Sequence, residues 1–158
     1  FDNCQGINIE GITSIHPRLM TTVLGGSQTA QVSWLHALSE MLSTDGVDII
    51  GSSDVLIQNC FFATNDDCVA LKAANWSYTP ADGIGYCRHN VERVQVRGCT
   101  ILNRGSGNAL EIGHETSCDH INNVVFEDCD ILAKHGYGAV FGVFGGKCVW
   151  YWFDIWYW

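Results

Sequence analysis

An apolar signature that recurs along the chain constrains the fold more than any other feature. Three and five residues before Cys60 stand Ile57 and Val55; the same offsets before Cys99 give Val96 and Val94, and before Cys129 they give Phe126 and Val124. Ile12, Ala37 and Ile155 serve equally well as reference positions, preceded by Ile9 and Ile7, by Trp34 and Val32, and by Trp152 and Trp150. Successive reference positions are 25, 23, 39, 30 and 26 residues apart. Apolar residues at alternate positions describe a strand with one buried face, and repetition in the twenties describes units too small to bury that face alone. Gly11, Asn59, Gly98 and Asp128 stand just before the reference residue, where a sharp bend calls for residues that tolerate unusual backbone angles. A second apolar stretch follows in each unit: Val47 to Ile50, Val69 to Leu71, Ala109 to Ile112 and Ala139 to Val143. Short strands of this kind, with hardly any helical periodicity, predict an all-β solenoid, a right-handed parallel β-helix, forming one domain over residues 1–158.

The longest interval contains "AANWSYTPADGIGYCRHN", which predicts a loop extruded from the coil over residues 73–90. Trp76, Tyr78 and Tyr86 within it either offer flat faces to sugar rings or pack the loop onto the coil. At the end, "KCVWYWFDIWYW" places Trp150, Trp152, Ile155 and Tyr157 in the inward column. No capping unit is visible at either end, so the coil is expected to be incomplete, with terminal rungs that invite self-association. The chain starts at Phe1 without a methionine or a signal-peptide pattern, as a processed or partial chain would.

Charge narrows the partners. With 17 acidic against 8 scattered basic residues the net charge is −9, which argues against a nucleic-acid backbone as ligand. No apolar run approaches the roughly 18 residues of a membrane span, so no membrane partner is expected. Eight cysteines include no Cys-x-x-Cys pair, the usual mark of a zinc site. Cys60, Cys99 and Cys129 are expected to stack as buried thiols; a bridge between neighbouring rungs is the alternative, because strands lie ~4.8 Å apart.

Within "STDGVDIIGSSDVLIQNCFFATNDDCVALK" the repeat brings distant acids together. Asp45 lies eight residues beyond Ala37, and Asp67 seven beyond Cys60, so Asp45 and the pair Asp66 and Asp67 fall at nearly the same position of consecutive rungs. Clustered carboxyls raise one another's pKa, so that one keeps its proton while another is ionised. That division of labour suits hydrolysis of a glycosidic bond; calcium binding is the rival reading. Asp48, Asp54, Asp82 and Asp128 read as ordinary turn-capping acids.

These residues resemble the Asn-Thr-Asp-Gly and Asp-Asp-Cys signature of family 28 glycoside hydrolases, the polygalacturonase family, and are similar to segments of the related family 49 dextranases. The resemblance runs from about Phe1 to Ile131. It implies a right-handed parallel β-helix that hydrolyses an α-linked polysaccharide or oligosaccharide, pectin-type or glucan, with inversion, in a groove along one face. By matching position, Asp66 is expected to be the general acid, with Asp45 and Asp67 holding and activating the attacking water. The family's Gly-His-Gly segment falls at Gly107, Asn108 and Ala109, so Asn108 replaces its histidine. The Arg-Ile-Lys segment that grips a substrate carboxylate in polygalacturonases is not found, which points toward neutral glucans. "NALEIGHETSCDHINNVVFEDCDIL" is similar to the dextranase-like branch.

Strand alternation supplies further candidates. Lys72 points outward, where it either pairs with the aspartates or bonds sugar hydroxyls. Glu111, at the position of Ala70 or Lys72 in the next rung, is expected to be exposed in the cleft, with a salt bridge to Lys72 as the alternative. His114 serves a sugar subsite or caps its turn. Substrate contacts are thus expected from Lys72, Trp76, Asn108, Glu111 and His114, with no cofactor and no metal. The location expected is extracellular or periplasmic. A calcium-dependent polysaccharide lyase and a non-catalytic carbohydrate-binding or adhesion β-helix are the competing functions.

Overall fold

A computed structural model of the chain describes residues 1–73, 89–116, 118–132, 139–144 and 150–155. They form a right-handed parallel β-helix whose coils each contribute strands to three sheets, and no helix occurs among the described residues. One sheet stacks β1 (Gln5–Glu10), β4 (Gln28–Ser33), β7 (Ser53–Gln58), β10 (Val91–Arg97), β13 (His120–Glu127) and β16 (Trp150–Ile155). A second stacks the short strands β2 (Thr13–Ile15), β5 (His36–Leu38), β8 (Phe61–Ala63), β11 (Thr100–Ile101) and β14 (Asp130–Ile131). The third, which carries the candidate site, stacks β3 (Thr22–Gly25), β6 (Val47–Ile50), β9 (Val69–Ala73), β12 (Leu110–Thr116) and β15 (Ala139–Phe144).

Register confirms the repeat in detail. Ile7, Ala30, Val55, Val94 and Val124 align across five strands of the first sheet, as do Ile9, Val32, Ile57, Val96 and Phe126, and all are buried. Sequential coils thereby place like on like, and removing these side chains from water is the main stabilising contribution, at ~25 cal/mol per Å² of apolar surface. At the bend after this sheet the backbone turns left-handed in every complete coil: Gly11 (φ 67°), Trp34 (φ 55°), Asn59 (φ 54°), Gly98 (φ 59°) and Asp128 (φ 51°). Glycine and amide or acid side chains adopt that conformation at least cost, which explains their choice at four of these bends.

The second coil departs from expectation at this point. Trp34 is the bend residue itself and is 54% exposed, so Leu35 takes the column position after it, while Ala37, also buried, belongs to β5 opposite Phe62. In the final coil, Ile155 pairs with Phe126, Phe153 with Val124 and Tyr151 with Ile121. Trp150 therefore aligns with His120, outside the inward register assigned to it from sequence, and Ile155 is not the counterpart of Cys129. Tyr157 lies outside the described residues, as do Trp76, Tyr78, Tyr86 and Asp82 of the expected loop. Ile12 occupies its expected place but is 49% exposed on the first coil.

Cys60, Cys99 and Cys129 are free thiols on consecutive coils, as are Cys4 and Cys68 elsewhere. Each of the three donates to the carbonyl two residues earlier, of Gln58, Arg97 and Glu127, at 3.3 Å. Contact with Cys129 and Cys60, then burial, pushes the Cys99 thiol upward, which keeps it protonated and unreactive.

Candidate active site

The acids gather where the chain leaves the second sheet and enters the third. Asp66 N donates to Thr44 O at 3.1 Å and Gly46 N to Asp67 O at 2.8 Å, while Cys68 N donates to Asn108 O at 2.9 Å. Continued into β6, β9 and β12, where Val47, Val69 and Leu110 align, this register places Asp45, Asp67 and Asn108 at one position of three consecutive coils. Thr44, Asp66 and Gly107 share the position before it. The expected convergence is therefore present, even though the count from Ala37 started from the wrong column residue.

Two glycines make this close stacking feasible. A Cβ on Gly46 would lie 2.1 Å from the carbonyl oxygen of Cys68, so the residue after Asp45 must lack a side chain. Gly107 has φ 65°, and a Cβ there would sit 2.3 Å from Asp66 Oδ1 and 2.6 Å from Asp67 N. Asp66 Oδ1 accepts from Asp67 N at 3.1 Å, and Asn108 N donates to Asp67 Oδ1 at 2.8 Å. Both acids are thus fixed by backbone groups. Asn103 Nδ2, itself buried, donates to Asp66 O at 3.0 Å and braces the same turn.

Exposure separates the three. Asp45 and Asp67 are each 6% exposed, whereas Asp66 is only partly buried and faces outward more than its neighbours. Burial first, then the Asp48 charge, pushes the Asp45 carboxyl up to about 9, against an opposing pull from Lys72. Asp67 is raised to about 7 by burial and by the hydrogen bond its protonated form gives to Glu111, again opposed by Lys72. Cys68, beneath them, donates or accepts a 3.1 Å hydrogen bond with Thr64 Oγ1 and is pushed up to about 12 by burial.

Lys72 lies at the centre of the cluster. Its Nζ is 3.0 Å from Asp48 Oδ1, 3.3 Å from Asp45 Oδ2 and 3.8 Å from Asp67 Oδ2, and the residue is buried. Asp48 is fully buried, with its carboxyl raised by burial and lowered by Lys72, so it is no turn-capping surface acid. Strand alternation held the signal: Asp48 stands between inward-facing Val47 and Ile49, on the face that also carries Ala70 and Lys72. Asp54, by contrast, is a surface acid, paired with Arg93 at 2.6 Å.

Glu111 aligns with Ala70, which resolves its placement, but it is 1% exposed, not open to a cleft. Its Oε2 accepts from Asn108 Nδ2 at 2.6 Å, so the asparagine joins Glu111 to Asp67 through its side chain and its backbone. Alternation correctly put Glu111 on the outer face; what it does not convey is that this face is dry, with Asp48, Ile50, Ala70 and Lys72 all buried beside it. His114 lies in β12, aligned with Val143. Trp76 lies outside the described residues.

Chemically, one ammonium cannot balance Asp45, Asp48 and Asp67 together, so the cluster holds protons at neutral pH beside ionised groups. A more exposed carboxyl, Asp66, borders it. The arrangement can donate a proton at one edge and accept one a few ångströms away.

Comparison with known proteins agrees with this geometry. Residues 1–141 match the profile of glycosyl hydrolases family 28. A probable polygalacturonase of Arabidopsis thaliana is 31% identical over 75 residues, which are 46% of this chain and 16% of the relative. An exopolygalacturonase of the same plant is 26% identical over 132 residues, 82% of this chain and 29% of the relative. The chain thus spans less than a third of the length of either relative. With the family profile covering nearly all of its coils, the chain belongs to glycosyl hydrolases family 28.

Proposed function

We propose that this chain forms the catalytic part of an inverting glycoside hydrolase acting on an α-linked polysaccharide or oligosaccharide. The observation that carries the reading is the meeting of Asp45, Asp66 and Asp67, from two consecutive coils, at one end of the third sheet. Asp66, the most exposed, gives its proton to the glycosidic oxygen as the bond from that oxygen to the anomeric carbon breaks. A water held by Asp45 and Asp67 attacks the anomeric carbon from the opposite face and passes its proton to whichever of the pair is ionised. No cofactor is required for this exchange. A polymeric substrate favours action outside the cytoplasm, in an extracellular or periplasmic space.

Pectin-type substrates are supported by the names of the two relatives, and a neutral glucan by Asn108, whose side chain is engaged by Glu111 where a histidine stands in the family pattern. A panel of pectins, dextran and pullulan, read by reducing-sugar release, decides between them. Release of sugar without an ultraviolet-absorbing unsaturated product supports hydrolysis over elimination, and proton NMR of the first product reads the anomeric configuration. Lys72, held within 4 Å of three acids, is committed to them and is a poor candidate for the base that a lyase needs. Asp66→Asn is expected to lower hydrolysis by ~1000-fold while leaving the fold intact. Undiminished activity in that variant, or no hydrolysis of any panel substrate by the parent chain, overturns the proposal.

A further inference from the structure

The buried ammonium at the centre of the site does a job that the three aspartates cannot do for themselves. We infer that Lys72, anchored on Asp48, is a positioning residue: within 4 Å of Asp45 and Asp67, its ammonium holds the water-activating pair in place and keeps one of the two ionised. This rests on the hydrolytic reading above.

Three observations support it. First, Lys72 and Asp48 are among the most enclosed charges described, at 7% and 0% exposure, so their attraction is little weakened by solvent. Second, an ammonium has three N–H donors, and three carboxylates from two coils lie within ion-pair distance of it, which leaves little of its bonding capacity for sugar hydroxyls. Third, Asp48 and Lys72 occupy the same outer face of neighbouring strands, separated along β9 by Ala70, whose small side chain leaves a lane in which the lysine can lie along the sheet. A charge fixed by its own buried partner is a steadier influence on the reacting pair than one free to turn toward solvent.

The groups facing the pair are Asp48 from β6, Asp66 from the turn before β9, Lys72 from β9, and Asn108 and Glu111 from the turn into β12 and from β12 itself. From β3, the neighbour aligned with Asp48 is the uncharged Val23. Lys72 and Asp48 therefore act in opposite directions: the ammonium favours ionised Asp45 and Asp67, and the Asp48 carboxylate opposes ionisation of Asp45.

Opposite-signed variants test the inference. In Lys72→Met the acid limb of the kcat/KM profile should move up by about one pH unit or more, and in Asp48→Asn it should move down. Lys72→Met should also lower kcat by about 100-fold with KM nearly constant, and Lys72→Arg should restore part of the parent profile. The same shifts should be visible without substrate, by 13C NMR titration of labelled aspartate carboxyls. An unchanged carboxyl titration in Asp48→Asn overturns the inference, and so does a Lys72→Met enzyme whose KM rises while kcat holds, since that marks a substrate contact. Should Lys72→Met fail to fold, Asp48→Asn and Lys72→Arg still decide the matter. Absence of hydrolysis in the parent chain would defeat the functional reading alone, because the carboxyl titration does not depend on turnover.

Discussion

Two clusters of charge sit on this coil, and they behave differently because only one is dry. On the outer face of the first sheet, Asp54, Arg93 and Glu92 are linked by ion pairs, Asp54 to Arg93 at 2.6 Å and Arg93 to Glu92, and Glu92 shares a 2.6 Å hydrogen bond with His120. Side-chain bonds from Arg93 hold Asp54 below the ordinary carboxylate range, and bonds from His120 and Arg93 do the same for Glu92. On the third sheet Lys72 lies 3.0, 3.3 and 3.8 Å from Asp48, Asp45 and Asp67, and Asp45 and Asp67 are driven up. Water stabilises the first set whether or not the partners meet; in the second, the cost of dehydration exceeds what one ammonium returns. A site that must hold and release a proton is built from the second kind.

The comparison breaks most readily at its centre. Lys72→Met leaves buried carboxyls without their cation and is expected to destabilise the fold by about 3–5 kcal/mol in urea denaturation at neutral pH. Loss of less than ~1 kcal/mol would mean that the carboxyls are already neutral and that the contrast is overstated. Next in size is Gly107→Ala, which combines a φ of 65° with a Cβ 2.3 Å from Asp66 Oδ1. About 1–3 kcal/mol of strain is expected, along with a fall of roughly 100-fold in kcat as the acid pair is pushed aside.

Smaller, and sharper as a test, is the dependence of stability on pH. Asp45 and Asp67 rise from an ordinary 3.8 to about 9 and about 7, so the folded chain binds more protons than the unfolded one between these values. Their contribution is complete below pH ~4 and is lost as pH climbs through 7 toward 9. Midpoints of urea denaturation should fall across that window, and Asp45→Asn should flatten the slope; a parent chain that gains stability from pH 5 to 8 would contradict the burial argument. Last, Asp54→Asn should leave stability and activity unchanged within error, and salt should weaken only the exposed cluster.

Much of this was legible in sequence, and the reasons for the rest are local. Alternation at Val55, Ile57, Val94 and Val96 gives the strands because a strand's two faces alternate whatever lies around it. Trp34 was misplaced because a large aromatic at the right offset reads as core, whereas a left-handed bend turned it outward and shifted the column to Leu35. The meeting of Asp45 with Asp67 survived that error, since the backbone pairs the two turns directly. Glu111 lies on the expected face but in the wrong medium, and Asp48, which reads as a turn-capping surface acid, shares that buried face: alternation tells which side a residue is on and is silent about what covers that side. Lys72 reads from sequence either as a partner of the acids or as a sugar contact, and its commitment to Asp48 needs the register of β6 against β9.

Asp67 and Asn108 are 41 residues apart in the chain and meet as though adjacent, because the detour between them rejoins the coil in phase. A winding scaffold of this sort can lengthen or rewrite the chain between two coils without disturbing the carboxyls that meet on the third sheet. Its vulnerability is phase: slipping one winding by a single residue would reverse which side chains face outward and separate the carboxyls completely.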